Sequence, residues 1–226
     1  MDFEVEVPEP SYTELELDPV PVLHGLFDPH AVRHRVYLGH PVVVQLASDQ
    51  LPDDLKPYGD QNSHDRAFCL LLLDLNFRHV PGEPILMADL EVAVSTGPHS
   101  QPKPGVILHI SPLMLSTPQV RSSKVALKAD FGVLKPEAER SRQGEVHTAY
   151  LLSDGVGTPS VVWSFKRVVP QELDHPHQLT LIVDMPNGVR CDAVLSLTAN
   201  IRKKRAGVLG YRAQIPHFLA VTQLGP

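Results

Sequence analysis

The stretch Leu179–Ile201, LTLIVDMPNGVRCDAVLSLTANI, carries the strongest structural signal in the chain. Two runs of alternating apolar and polar residues flank Met185-Pro186-Asn187-Gly188. Proline can preset a turn and Asn-Gly tolerates positive φ, so the spacing predicts a β-hairpin. A side-chain period of two then places Leu179, Leu181 and Val183 on the same side as Val189, Cys191, Ala193, Leu195, Leu197, Ala199 and Ile201. The second run is long enough that its strand is expected to bend or to continue past its partner.

The same alternation recurs upstream. Met87–Ser95 (MADLEVAVS) sets Ala88, Leu90, Val92 and Val94 against Asp89, Glu91, Ala93 and Ser95, as a half-buried antiparallel strand does. Lys124–Phe131 repeats the pattern, and Val161–Arg167 aligns Val161, Trp163 and Phe165, which makes the single tryptophan a core anchor. Tyr37–Leu46 and Ala67–Phe77 read as strands. The continuous apolar run in the second predicts a central position covered on both faces. Gln50–His64 is a loop with room for one helical turn, Gly155–Ser160 is a hairpin turn, and His99–Gly105 is a further loop. Lys135–Gly144 is either a short exposed helix or a long hairpin loop. Eight or nine short strands are expected, giving an all-β, mostly antiparallel β-sandwich of immunoglobulin-like or Greek-key type, with a barrel as the alternative. Cys69, Trp163 and Cys191 lack the Cys, Trp, Cys spacing of immunoglobulin domains themselves.

Composition agrees with this layout. Of 226 residues 22 are proline and 14 glycine, so proline is close to twice its usual share while glycine is ordinary. Pro84, Pro104, Pro118, Pro159, Pro170 and Pro186 each stand beside a period-two run, where they punctuate strands. The longest apolar run, Ala67–Leu73, is far short of the roughly 18 residues of a membrane helix. The first 20 residues hold no Lys or Arg, the reverse of a secretory leader. Cys69 and Cys191 are expected to be reduced core thiols, which points to a cytoplasmic protein.

Charge is uneven. Residues 1–60 hold 12 acidic and 3 basic groups, and residues 61–226 hold 14 acidic and 17 basic groups, so a −9 front precedes a +3 body. Residues 1–20 form an acidic segment, an edge strand or a tail, ahead of a single sandwich domain over 21–226. An acidic edge would resist pairing with other chains, while its alternative role is to cover a basic groove.

Candidate chemistry is sparse. Twelve histidines include the cluster His24, His30, His34 and His40. With Asp28 as cap and Pro29 opening a helix, His30 and His34 would lie at i and i+4, the spacing of zinc helices, as metal ligands of a small metal-dependent enzyme. The chain has no HExxH, CxxC, GxSxG or phosphate loop to support catalysis. His175 and His177 flank Pro176 in a turn that supplies no further ligands. Arg202, Lys203, Lys204 and Arg205 form the one strong cationic run, read first as a solvated loop and otherwise as suited to an acidic partner surface. With aromatics at only 6%, nucleic acid is disfavoured. Ala206–Pro226 could dock on the body through Ile215, Phe218, Leu219, Val221 and Leu224, or present them to a partner. The expectation is a non-enzymatic, cofactor-free binding or scaffolding sandwich that contacts a protein partner or a second copy of itself, with no membrane role.

Overall fold

A computed structural model describes residues 12–20, 32–96, 105–121, 144–169, 173–201, 211–214 and 220–225. Thirteen strands form within them: β1 (Tyr12–Val20), β2 (Val32–Gly39), β3 (Val42–Leu46), β4 (Arg66–Phe77), β5 (Ile85–Thr96), β6 (Val106–Ser111), β7 (Met114–Arg121), β8 (Gly144–Asp154), β9 (Ser160–Lys166), β10 (Pro176–Pro186), β11 (Cys191–Ile201), β12 (Tyr211–Gln214) and β13 (Ala220–Gln223). A 3-10 turn, Ser48–Gln50, and one short helix, α1 (Lys56–Asn62), interrupt them. The fold is an all-β sandwich of two antiparallel sheets. One sheet runs β6-β10-β4-β2-β1, with β3 beside β2 along β4; the other runs β12-β11-β5-β9-β8-β7, with β13 beside β12 along β11. The expected strand at Lys124–Phe131 and the connection at residues 135–143 lie outside the described residues.

The predicted hairpin does not form. The turn is there, with Gly188 at φ +68° and the Val189 N–H directed to the Pro186 carbonyl at 3.4 Å. The strands on either side of it belong to different sheets. β10 is bonded on one edge to β4, Pro176 opposite Asn76 through Pro186 opposite Arg66, and on the other to β6. β11 runs along β5 on one edge and along β12 and β13 on the other. The four residues 187–190 therefore arch from one sheet to the other, and the Asn187 N–H bonds to the Asp65 carbonyl at 2.8 Å, next to β4. The inward sets are as expected: Leu179, Leu181 and Val183 are fully buried, and so are Cys191, Ala193 and Leu195. They meet across the core from opposite sheets. Periodicity specifies which side chains must leave water, and two facing strands satisfy that as well as two adjacent ones.

Both margins of the sandwich are bridged. β1 pairs with β2 through Tyr12–Leu17 and then with β12 through Asp18–Val20, so it passes from one sheet to the other. At the opposite margin, the Ile107 N–H bonds to the Thr158 carbonyl and the Gly157 N–H to the Ile107 carbonyl, joining β6 to the β8–β9 turn. Such closure leaves fewer open edges for unwanted pairing.

β4 holds the central place that its apolar run predicts. β10 covers one edge, and β2 and β3 share the other. The register along β4 slips by one residue between Leu38 opposite Leu75 and Val42 opposite Leu72, so Pro41 falls in a bulge where no ladder donor is required. Cys69, Leu71, Leu73, Leu75 and Phe77 enter the main core, where Trp163 is also fully buried. The other face of β4 gives Phe68 and Leu70 to a second cluster with Leu46, Leu51 and Ile182. The Ser48–Gln50 turn and α1 belong to the loop that roofs this cluster, since Leu51 and Leu55 lie in that loop.

Candidate functional site

Of the histidine cluster, His24 and His30 lie outside the described residues. His34 lies in strand β2, which corrects the expectation of a helix carrying it. Val32, Val36, Tyr37 and Leu38 suit a pleated strand, and pairing of β2 with both β1 and β4 sets the conformation at His34. His34 occupies a bulge at φ +58°, where Leu15 opposes Val36 and Leu17 opposes Val32. Glu14 ties it down: one carboxylate oxygen accepts the His34 backbone N–H at 2.6 Å, and the other lies 2.9 Å from Nδ1. His40 is exposed at the β2–β3 bulge. Among the described residues no three His, Cys, Asp or Glu side chains are grouped as a metal ion would need.

The described part of the acidic segment contacts side chains of its own neighbour strand. Besides the Glu14–His34 contact, Glu16 lies 3.3 Å from Arg33. Both are exposed, and such pairs contribute about 0–1 kcal/mol. The cationic run Arg202–Arg205 lies outside the described residues, as do residues 215–219 of the apolar C-terminal stretch. The end of that stretch docks on the body: β13 pairs with β11, and Leu224 is fully buried with its N–H on the Cys191 carbonyl and its own carbonyl accepting from Gln45. Of the two expected contact residues among the described ones, Val221 is exposed and Leu224 is buried.

Among the described residues, three polar or charged side chains are buried: Asp184, Arg35 and His177. Asp184, on the outer face of β10, is 1% exposed; it accepts the Tyr58 hydroxyl at 2.6 Å and the Arg66 Nε–H at 2.6 Å. This triad pins α1 to β4 and β10, and the hydrogen bond to Asp184 holds the Tyr58 phenol above its ordinary pKa. Arg35, 2% exposed, gives its Nε–H to the Arg78 carbonyl, its NH2 group to the Glu83 carbonyl, and faces the Glu83 carboxylate at 3.5 Å. It clasps the loop between β4 and β5. His177 belongs to β10 and is 7% exposed, a correction to the turn expected around Pro176. The turn ends two residues earlier, at His175, because Pro176 already opposes Asn76 in the ladder. Cys69 and Cys191 are both free and buried, and burial pushes the Cys69 thiol up to about 12, so it is an inert thiol.

The remaining candidate is an apolar patch. Met114 on β7 and Leu152 on β8 are cross-strand partners that both point outward, at 59% and 52% exposure, and Leu113 beside them is 58% exposed. One register step away, Leu151 is buried in the core, with Leu115 packed against it. The Ser153 N–H and hydroxyl hold the Pro112 and Leu113 carbonyls, which fixes the patch to the sheet. β7 ends its sheet, so among the described residues its outer edge has no partner strand. The legible signals were PLML and YLLS, runs apolar at consecutive positions and so apolar on both faces of a strand.

No protein-family model matches the chain, and no curated protein matches it. Among solved structures, one described as a pore forming protein is similar over 70% of this chain and 78% of its own, at 8% identity and a TM-score of 0.30. That degree of likeness is too slight to bear on fold or activity. No helix among the described residues is long and apolar enough to cross a membrane.

Proposed function

We propose that the chain is a non-enzymatic protein-binding or scaffolding β-sandwich that acts through surface contacts. The observation that supports this reading is the patch of Leu113, Met114 and Leu152 beside the outer edge of β7. Contiguous exposed apolar side chains mark contact surfaces more often than isolated ones do. Burying the exposed half of each contributes about 1 kcal/mol before the entropy of association is subtracted. A free edge beside such a face suits a partner that adds a strand and seats apolar side chains on it. In the same reading, Arg202, Lys203, Lys204 and Arg205 contact an acidic surface of that partner, steering the encounter more than setting its strength. Two unpaired buried thiols support a reducing, cytoplasmic setting.

A photo-crosslinking amino acid in place of Met114, with a control at the exposed Glu91 of β5, tests the contact inside the native cell. An adduct of defined mass at position 114 that disappears with Leu152→Glu is the expected result. No adduct at 114, together with a monomeric sedimentation profile unchanged by Leu152→Glu, overturns the proposal.

A further inference from the structure

We infer that His177 is an acid-sensitive latch: a proton taken up by its imidazole parts the two sheets at the end of the sandwich where it sits. The ring projects inward from β10 and is the meeting point of three others. Phe77 of β4, in its own sheet, lies 5.8 Å away edge-on. Phe165 of β9 and Tyr150 of β8, in the opposite sheet, lie at 4.8 Å and 6.2 Å. Phe77 and Phe165 also touch directly at 5.1 Å. His177 is therefore packed as an aromatic, and its Nε2 has no hydrogen-bond partner.

A neutral imidazole fits this place and a charged one does not. The ring faces would return about 0.5–2 kcal/mol to a cation. Removing an ion from water costs several kcal/mol, so desolvation wins. Among the described residues, no carboxylate offsets it. Just ahead of β10, His175 repels the charge, and Asp174 is turned to His175 at 3.4 Å. From β4, the residue after Phe77 is the cation Arg78, stacked over Tyr37. From β9, Lys166 follows Phe165 and alternates to the exposed face, and β8 contributes Tyr150. Burial first, and His175 second, depress the His177 pKa to about 4.

The sign follows from that depression. An imidazole exposed by opening regains a pKa near 6.5. Closure is thus complete above pH 6.5 and is lost progressively as the pH falls toward 4, by about tenfold in the opening equilibrium per pH unit. The acid effect is confined to the cluster if only this end opens, and extends to β11 if the whole fold does.

Hydrogen exchange at pH 7 and pH 5, corrected for intrinsic rates, distinguishes these outcomes in peptides covering 148–153, 173–180 and, as reference, 191–198. The latch predicts about twentyfold more frequent opening at pH 5 than at pH 7 in the first two peptides and little change in the third. His177→Phe, which keeps the ring and removes the proton site, should abolish the difference, while His34→Gln should leave it intact. Equal protection at both pH values, an unchanged pH response in His177→Phe, or loss of protection in all three peptides together overturns the inference. Should His177→Phe not fold, an NMR titration of the wild-type ring decides instead, and a pKa at or above 6.5 refutes the latch.

Discussion

Asp184 is a single carboxylate in the apolar run LIVDMP, and it takes opposing demands from its neighbours. Ile182 and Asp184 share the outer face of β10, yet one is packed under the helix-bearing loop and the other is wired to Tyr58 and Arg66. Asp184→Ala leaves the Arg66 guanidinium, only 11% exposed, without its counter-ion, and a loss of about 3–5 kcal/mol in urea unfolding is expected. Tyr58→Phe removes one hydrogen bond to a charged group from a residue 38% exposed, and should cost about 1 kcal/mol. An unchanged urea midpoint for Asp184→Ala would mean that water screens the pair. Alternation singled out neither this carboxylate nor its partners, because Tyr58 and Arg66 are more than a hundred positions away and meet it only in the folded chain. His177 is the converse case, since its Pro176 context reads as a turn while its surroundings are a core.

At the scale of elements, alternation was a dependable guide to which residues turn inward. Ala88, Leu90, Val92 and Val94 of β5, and Val161, Trp163 and Phe165 of β9, are all buried as their spacing predicts. The Gly155–Ser160 turn joins β8 to β9 as a hairpin, with Leu151 opposite Phe165. Its two glycines do different work. Gly155 sits at φ +120°, and a Cβ there would lie 2.1 Å from the Ser160 carbonyl oxygen, whereas Gly157 at φ +82° has open space around it. Gly157→Ala should therefore cost about 1–2 kcal/mol of backbone strain, and Gly155→Ala distinctly more because the turn itself must move. Thermal unfolding of the two variants checks the ranking, and equal losses would contradict it. The failed hairpin at Pro186–Gly188 marks where element-level reading stops. A turn signal says that the chain reverses, and it does not say whether the next strand bonds to the last or faces it.

For the whole molecule, the pairing of β10 with β4 and of β11 with β5 joins segments about a hundred residues apart in the chain. Loop closure must precede the gain from those contacts, so refolding is expected in the millisecond-to-second range and not in microseconds. Stopped-flow fluorescence of Trp163, the single tryptophan and fully buried, reads this directly. A microsecond phase carrying all of the amplitude would contradict the topology. The margins matter to the same balance, because β1 and the β6 contact with the β8–β9 turn tie the sheets together where an open sandwich would be free to slide.

The sequence by itself determined that this is an all-β protein, which positions line its interior, and that β4 is central. Those properties follow from side-chain periodicity and burial, which are local and repeated. Tertiary structure alone decided that β10 and β11 face each other across the core, that β1 crosses between sheets, and that His34 is a bulged strand residue held by Glu14. It also decided where chemistry gathers: Asp184 with Arg66 and Tyr58, His177 among three rings, and Met114 beside Leu152. The physical reason is the same in each instance. Hydrophobic patterning fixes the face a residue presents, whereas strand pairing between distant segments fixes its neighbour, and these sites are made by neighbours.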